Sequence, residues 1–298
     1  MKKGLFVLVL LSGCITGQVS LPQESGRVLA FFCDQTDCEN VFLGLTKNTS
    51  SLNCAIYHPS STFADQVQKQ GKLVVDGAHK SPGAITETAS GLMHNKFCIV
   101  NESVVWTGSW NPAQEMSIAN NVVLIESKTL ARAFSDEFAE LESRVFQRGK
   151  KGAVALLLNG NKTEAYFCPE DECTKRILGV LNEAKSSIHV MAYSFTADEI
   201  GALLERKAHE GVDVRVIFDP RKDDKSSEYP RLIKHSRIAK VHHKVFIIDS
   251  GTVITGSMNP TKNGDERNDE NIVILRESGI AAAFEAEFKK RWNETTTK

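Results

Sequence analysis

The 298-residue sequence predicts an α/β fold built from two similar layered α/β/α domains, each with a mixed β-sheet. The first observation is a repeated phrase. "HNKFCIVNESVVWTGSWNP" begins at His94, and "HHKVFIIDSGTVITGSMNP" begins 148 positions later at His242. The second is that strand and helix patterns alternate in the same order in both halves. The third is a Cys-x4-Cys spacing near the start of each half: Cys33 and Cys38, then Cys168 and Cys173.

In the second half, a short strand, "EAYF", precedes a helix that Pro169 opens and that ends near Ala184. A buried strand, "SIHVMAY", a helix ending at Gly211 and the strand "VDVRVIFD" follow. The repeated phrase supplies a hairpin, and "NIVILR" leads to a closing helix with apolar residues at four-residue spacing. These residues are Ile280, Phe284, Phe288 and Trp292.

The first half repeats this order with "RVLAFF", "LNCAIY", "KLVVD", the hairpin and "NVVLIE". Its closing helix carries Phe134, Phe138 and Leu141, which we interpret as core residues. The boundary is placed near "QRGKKG". The resulting segments are a leader with a short tether (1–20), a first domain (21–148) and a second domain (149–298).

The N-terminus is typical of an exported protein. Lys2 and Lys3 precede the apolar run "GLFVLVLL", which is shorter than the roughly 20 residues needed to span a bilayer. "LSGC", ending at Cys14, resembles the lipobox of prokaryotic lipoproteins, which implies a diacylglycerol anchor on that sulfur. The protein is then held on the outer side of the cytoplasmic membrane, or is periplasmic or secreted. The alternatives are an uncleaved anchor and a plain signal with a chance cysteine.

Export favours two short-range disulfides, Cys33 with Cys38 and Cys168 with Cys173. A zinc site made by these four cysteines is the alternative, although their spacing is not a specific zinc signature. Cys54 and Cys98 lie in apolar strand patterns and are interpreted as core thiols.

The repeated phrase is interpreted as two strands joined at Ser250–Gly251. This register sets the polar residues opposite one another in pairs: Lys244 with Ser257, His242 with Asn259, Lys96 with Ser109 and His94 with Asn111. Because alternate residues share one face of a strand, each hairpin gathers an imidazole, an ammonium, a hydroxyl and an amide.

The two copies differ at Asp249, which is Asn101 in the first copy. Asp249 lies seven residues after His242, on the other face and roughly 23 Å away in an extended strand. It therefore cannot share a substrate group with that histidine. Both Asp and Asn are favoured in turns, so Asn101 replaces a turn residue and leaves the first copy intact.

His-x-Lys-x4-Asp followed by Gly-Ser-x-Asn resembles the HKD motif of the phospholipase D superfamily. The resemblance covers both halves, and "MAYSFTA", "GVDVRVIFD" and "NDENIVI" especially resemble its small secreted bacterial endonucleases. Those enzymes carry one motif per chain and dimerise. A chain with two motifs is expected to be a monomer with one composite active site at the pseudo-twofold interface between its halves.

The resemblance implies a metal-independent reaction through a phosphohistidine, with no cofactor. Glu270 would orient His94 across the interface, and Asn120 would face His242. This makes His94 the nucleophile and His242 the acid. The groups expected to hold the phosphate oxygens are Lys96, Lys244, Ser109, Ser257, Asn111 and Asn259.

The substrate class depends on a local feature. Net charge is only −1, so no global basicity indicates a polyanion partner, and any anion site must be local. Between Tyr229 and Ile248 the chain has five basic residues and no acidic one. Besides Lys244, these form a basic lip expected to bind substrate: Arg231, Lys234, Arg237 and Lys240.

The basic lip favours a nuclease that hydrolyses DNA or RNA. A solvated helix face is the other interpretation of the same residues. The alternative enzyme is a phospholipase D that hydrolyses or transfers phosphatidyl groups of membrane lipids. A non-catalytic phosphate-binding module is a third hypothesis, which the intact polar sets in both halves disfavour.

Overall fold

The structure, a computed structural model, describes residues 20–222 and 225–295. The elements up to residue 142 are strands β1 (Gln23–Glu24) and β2 (Val28–Phe32), helix α1 (Cys38–Thr46), β3 (Leu52–Ile56), α2 (Ser61–Gln68), β4 (Leu73–Val75), β5 (Ile85–Thr86), β6 (Lys96–Val100), β7 (Val104–Gly108), β8 (Asn121–Glu126) and α3 (Lys128–Glu142). Seven of these strands form one mixed sheet in the order β2-β8-β7-β6-β3-β4-β5. Strands β3, β4 and β5 are parallel, and the other pairs are antiparallel.

The later elements are β9 (Val154–Leu158), β10 (Asn161–Cys168), α4 (Cys173–Glu183), β11 (Ser187–Ala192), α5 (Asp198–His209), β12 (Asp213–Phe218), α6 (Tyr229–Leu232), β13 (Ser236–Ile238), β14 (Lys244–Ile248), β15 (Thr252–Gly256), α7 (Lys262–Glu266), β16 (Glu270–Leu275) and α8 (Ser278–Glu294). They form a second mixed sheet, ordered β1-β9-β10-β16-β15-β14-β11-β12-β13. The predicted α/β class with a mixed sheet in each half is confirmed. Strand β1 pairs with β9, so the start of the described chain completes the edge of the second sheet.

The core runs continuously between the two sheets. One apolar cluster joins both sheets with α3 and α8, and α8 packs against β2 of the first sheet as well as β15 of its own. The aromatic residues predicted as core are buried there, with Trp292 partly buried. Burial of a Phe side chain is worth about 1.5–3 kcal/mol, so this shared layer holds the two halves together.

Helix α4 starts later than the sequence predicted. It begins at Cys173, and Glu172 immediately before it has a left-handed φ of 55°. Residues 169–172 form a turn instead, in which the Asp171 carboxylate accepts a hydrogen bond from Phe167 N–H at 3.0 Å. Pro169 therefore opens a turn and not the helix.

The hairpin register also differs from the prediction by one residue. Phe246 pairs with Ile254, and Phe97 pairs with Thr107. The central turn residues are Asp249 and Ser250, both with φ near 50°, and not Ser250 and Gly251. Two successive positive φ values match the twist of a β-hairpin, and Asp or Asn is favoured there. Ser257 and Asn259 therefore lie beyond the end of β15 and not directly opposite Lys244 and His242.

All six cysteines in the described residues form disulfides. Cys33 is bonded to Cys38, and Cys168 to Cys173, so these four do not form a zinc site.

The interpretation of Cys54 and Cys98 as core thiols was wrong. They are directly opposite on β3 and β6, with Cα atoms 4.1 Å apart, and are bonded. Closing a loop over 44 residues stabilises the fold by about 4 kcal/mol if the gain is the lost entropy of the unfolded chain.

The leader with its proposed anchor residue Cys14 lies outside the described residues. Within the described part, no helix combines the length and apolarity needed to cross a membrane.

Candidate active site

The segments that carry the two motif histidines each pair with backbone of the opposite half. His94 N–H donates to Asp269 O at 2.9 Å, and His242 N–H donates to Ala119 O at 2.8 Å. Each contact belongs to a short parallel bridge between the halves. Each histidine is thereby fixed by backbone from the opposite half, which brings the two polar sets into one site.

His94 is oriented by a carboxylate from the second half. Its Nδ1 lies 2.7 and 2.8 Å from the two oxygens of Glu270, which is fully buried. Ser257 Oγ donates to the same carboxylate at 2.6 Å, and Asn268 Nδ2 lies 3.3 Å from it. A carboxylate on Nδ1–H directs the Nε2 lone pair of His94 outward.

His242 is oriented by an amide from the first half. Its Nδ1 lies 2.8 Å from Asn120 Oδ1. The Asn120 amide nitrogen donates to Gln114 and to the Ile118 carbonyl, at 3.0 and 3.2 Å, so Oδ1 is the atom presented to the imidazole. The two histidines therefore have chemically unequal partners, in the crossed arrangement that the resemblance implied.

The repeated serines lie in a different place from the one predicted. Ser257 Oγ donates to Glu270, and Ser109 Oγ donates to Asn120 Oδ1 at 3.1 Å. The two hydroxyls therefore hold the partners of the histidines, and they are not free to bind phosphate oxygens. The residue before Ser257 has to be a glycine, because a Cβ atom at Gly256 would lie 2.1 Å from Asn271 O.

The motif residues Asn111 and Asn259 have unused hydrogen-bonding capacity. The Oδ1 atom of each is buried and has no hydrogen-bond partner within residues 20–222 and 225–295. An amide oxygen only accepts hydrogen bonds, so a contact between these side chains and phosphate oxygens would have to come from their Nδ2–H groups.

Lys96 and Lys244 form a buried pair of cations. Each Nζ donates to the carbonyl of the preceding motif histidine, at 2.8 Å for His94 and 2.7 Å for His242. Burial lowers the pKa of Lys96 to about 7 and lowers that of Lys244 well below its usual range. An anion that enters the site would raise the pKa of both lysines and so favour their ammonium forms.

Both imidazoles titrate low. Burial lowers the pKa of His94 to about 4, although the Glu270 carboxylate opposes the shift. The pKa of His242 is lowered well below 6.5, first by burial and then by the charges of Lys244 and Lys96. Both rings are neutral at neutral pH before an anion enters.

Two tyrosines that the sequence analysis missed line the site. The Tyr57 ring lies 4.7 Å from the His94 ring, and the Tyr193 ring 4.5 Å from the His242 ring. Each motif lysine lies over the neighbouring tyrosine, with Nζ 5.0 and 5.2 Å from the ring centroids. The signal was available, because Tyr ends the equivalent strand in both halves, in "LNCAIY" and "SIHVMAY".

Two buried aspartates were missed as well. The carboxylates of Asp76 and Asp219 accept hydrogen bonds from Met93 N–H and Val241 N–H, at 3.1 and 2.9 Å. They brace the segments that lead into the catalytic strands. The sequence contained an indication of both residues, because an Asp ends the equivalent strand patterns "KLVVD" and "VDVRVIFD".

The motif residues Asn101 and Asp249 fasten the hairpin tips. The Asp249 carboxylate accepts from the backbone N–H groups of residues 185, 186 and 187, at 2.7–2.9 Å. Asn101 Oδ1 accepts from Ser50 N–H at 2.9 Å in the equivalent loop. An amide oxygen can make this contact as a carboxylate oxygen does, so the difference between the copies leaves the site unchanged.

Part of the predicted basic lip is occupied by internal ion pairs. Arg231 contacts three carboxylates, at 2.7, 3.7 and 3.9 Å: Glu228, Asp198 and Glu205. Its charge is therefore largely compensated.

The other lip residues divide into two kinds. Arg237 Nη1 donates to Trp292 O at 2.7 Å, and its guanidinium stacks 4.4 Å from that ring. Lys234 and Lys240 are exposed, with no hydrogen bond or ion pair in the described part of the chain. Lys234 and Lys240 are therefore the lip residues whose charged groups are unoccupied within the described residues, whereas the Arg237 guanidinium is held against Trp292.

No group of three or more His, Cys, Asp or Glu side chains within residues 20–222 and 225–295 is placed to hold a metal ion.

A composite site between two α/β halves, with two motif histidines and two buried lysines, defines an enzyme of phosphodiester chemistry. Residues 177–292 match the family described as "Cardiolipin synthase, PLD-like domain". A phospholipase D of Rickettsia conorii is 35% identical over 135 residues, which are 43% of this chain and 68% of that protein. The chain belongs to the phospholipase D superfamily, and it is a hydrolase acting on phosphodiester bonds.

The chain is also similar to three further proteins. A mitochondrial cardiolipin hydrolase of Mus musculus is 29% identical over 127 residues, 40% of this chain and 58% of that protein. Nuc of Salmonella typhimurium, a phospholipase D family member of known structure, is 30% identical over 46% of this chain and 98% of its own, with a TM-score of 0.43. The phosphatidylserine synthase of Haemophilus influenzae shares the fold over 91% of this chain and 87% of its own, with a TM-score of 0.70 and 10% identity.

Proposed function

We propose that this protein is a nuclease that hydrolyses phosphodiester bonds of DNA or RNA through a phosphohistidine intermediate. The observation that carries the phosphohistidine mechanism is the crossed pairing of His94 with Glu270 and of His242 with Asn120. Unequal partners give two otherwise similar imidazoles different roles, one as nucleophile and one as acid.

In the first step, His94 Nε2 attacks phosphorus, forming the P–N bond as the P–O bond to the leaving alcohol breaks. His242 gives its proton to the leaving oxygen. The low pKa of His94 keeps its lone pair available, and Glu270 stabilises the charge that develops on the ring. The negative charge on the phosphoryl oxygens is met by Lys96 and Lys244 and by the amides of the two motif asparagines.

In the second step, His242 takes a proton from water, and the water oxygen attacks phosphorus. The P–N bond breaks and returns His94 to its starting state. The bound phosphodiester is an anion beside both imidazoles, so it raises the pKa of His242 and allows that ring to carry the proton it donates.

Nucleic acid is favoured by the charges outside the site. Lys234 and Lys240 extend an uncompensated positive surface from the segment that leads into β14.

The second candidate is a phospholipase acting on phosphatidyl lipids. It is favoured by the relatives named phospholipase D and cardiolipin hydrolase, and a lipid anchor at Cys14 would place the enzyme on its substrate. We further propose an exported, membrane-anchored monomer whose domains are residues 21–148 and 149–298, with the composite site formed within one chain.

The experiment that tests this proposal compares substrates on one preparation. Purified protein is incubated with end-labelled single- and double-stranded nucleic acid, with cardiolipin vesicles and with phosphatidylcholine vesicles, and His94→Ala serves as the inactive control. Cleavage of nucleic acid well above lipid, absent in the control, supports the nuclease. Lipid hydrolysis with intact nucleic acid overturns it in favour of the phospholipase.

A further inference from the structure

The two sides of the active-site cleft differ although their backbones match. Asp76 and Asp219 each accept a hydrogen bond at 2.8 Å from the backbone N–H two residues later. That residue is Ala78 in the first half and Arg221 in the second. Equivalent positions therefore present a methyl group on one side of the cleft and a guanidinium on the other.

The charged side is the one that holds His242. The Tyr193 ring lies 4.5 Å from the His242 ring. The Arg221 guanidinium and Lys222 Nζ lie 5.1 and 5.5 Å from the Tyr193 centroid. The two cations therefore contact the same aromatic ring that packs against His242. The charge of Arg221 also reaches Lys244, whose pKa it helps to lower.

These two cations have binding capacity to spare. Arg221 uses Nε and Nη2 for a bidentate contact with Asp219, at 2.7 Å each, and its side chain is 39% exposed. Nη2 also donates to Val241 O at 3.5 Å, so of the five N–H donors of the guanidinium the two on Nη1 remain. Lys222 is exposed and makes no ion pair within the described residues. Among the described residues, Asp219 is the one carboxylate that forms an ion pair with these two cations, and it contacts Arg221.

The His94 side of the cleft has a different surface. His58 and His79 stack with centroids 3.7 Å apart, and His79 also meets the Tyr57 ring edge-on at 4.6 Å. Burial lowers the pKa of both stacked imidazoles, so they are neutral at neutral pH. His79 occupies the position equivalent to Lys222. At this position, the His242 side therefore carries a charged lysine and the His94 side a neutral imidazole.

We infer that Arg221 and Lys222 form a subsite for a second phosphate group, carried by the leaving alcohol of the substrate. The inference rests on the proposed function, because His242 as the acid places the leaving alcohol on this side. A nucleic acid strand supplies such a phosphate at every internal bond. The choline released from phosphatidylcholine is a cation, and the same two residues would repel it.

The test uses three dinucleotides of one sequence: without a terminal phosphate, with a 5′-phosphate and with a 3′-phosphate. Product analysis identifies which nucleoside leaves. We expect kcat/KM to rise about tenfold, equivalent to about 1.4 kcal/mol, when the terminal phosphate lies on the leaving nucleoside. A phosphate on the retained nucleoside should have little effect.

Lys222→Gln and Arg221→Gln should each reduce that preference severalfold. The ratio between the phosphorylated and unphosphorylated substrates is the readout, so a general loss of activity does not imitate the effect. Lys222→Gln leaves the contact between Arg221 and Asp219 in place and covers the case in which Arg221→Gln misfolds. Lys262→Gln, an exposed lysine on α7, is the matched control and should keep the wild-type ratio.

The outcomes separate the inference from the proposed function. Equal turnover of all three dinucleotides by the wild type overturns the subsite while the nuclease stands. If nucleic acid is not cut and lipids are, the nuclease fails. The subsite then predicts that cardiolipin, whose leaving alcohol bears a phosphate, is preferred to phosphatidylcholine. It also predicts that Lys222→Gln reduces this preference, and an unchanged preference would overturn it.

Discussion

Replacing Asn120 by Asp tests the assignment of acid and nucleophile. The substitution places a carboxylate at the atom that now lies 2.8 Å from His242 Nδ1. Two unit charges 4 Å apart attract by about 4 kcal/mol at an effective dielectric constant of 20. Burying the new carboxylate costs part of this, and opposite charges at such distances raise a histidine pKa by about one to three units.

The sign follows from the role of His242. An acid must be protonated to act, so raising its pKa moves the alkaline limb of the pH–rate profile to higher pH. Wild-type kcat/KM should have its optimum on the acidic side of neutral, because burial and two lysines keep the pKa of His242 low. Asn120→Asp should shift the alkaline limb upward by about one to three units.

Steady-state kinetics between pH 4 and 9 measure this limb, and Asn101→Asp is the matched control. It makes the same chemical change in the turn at the hairpin tip, remote from the histidines, and should leave the profile unmoved. Trapping of the phosphoryl group on His242 would reverse the assignment. A profile unmoved by Asn120→Asp would remove its basis.

The remaining predictions test the composite site, the metal independence, the anchor and a buried carboxyl. His94→Ala and His242→Ala should each abolish turnover; substantial activity in either refutes one shared site. Activity should survive EDTA, and loss that added metal restores contradicts this. Cys14→Ser should release the protein from the membrane fraction, and an unchanged distribution counts against lipidation. Burial raises the pKa of Asp269 to about 8, whereas its pKa in the unfolded chain is near 3.9. The protonated carboxyl therefore contributes stability that is fully present below the unfolded pKa and is lost as pH rises to about 8. Asp269→Asn should therefore be more stable than wild type by about 1–4 kcal/mol in urea unfolding at pH 8 and equal near pH 4; the same difference at both pH values would refute it.

The sequence by itself determined the architecture and the identity of the reacting groups. Strand and helix periodicities depend on residues close together in the sequence. The repeated phrase recurs 148 positions later, so the same local pattern predicts the same elements in both halves. The two-residue spacing between each motif histidine and its lysine predicted that both lie on one face of an extended segment, and that segment leads into β6 or β14 in the structure. The different residues at Glu270 and Asn120 could also be recognised by comparing the two copies, and they lie at the crossed positions in the structure.

Only the tertiary structure decided what those groups contact. The hairpin register depends on which turn residues adopt positive φ, and it differs from the predicted register by one residue. As a result, Ser109 and Ser257 contact the partners of the histidines and do not lie opposite the lysines. Cys54 and Cys98 are 44 residues apart, and no local pattern pairs them.

Charge in the sequence was also an incomplete guide to charge at the surface. The sequence predicted Arg231 and Arg237 as part of the basic lip. In the structure, carboxylates compensate the charge of Arg231, and Trp292 holds the guanidinium of Arg237. Arg221 and Lys222, which stand in the sequence among acidic residues, lie on the Tyr193 ring that packs beside His242. Ion pairing and burial join residues distant in the chain, so the folded arrangement decides which cations a substrate meets.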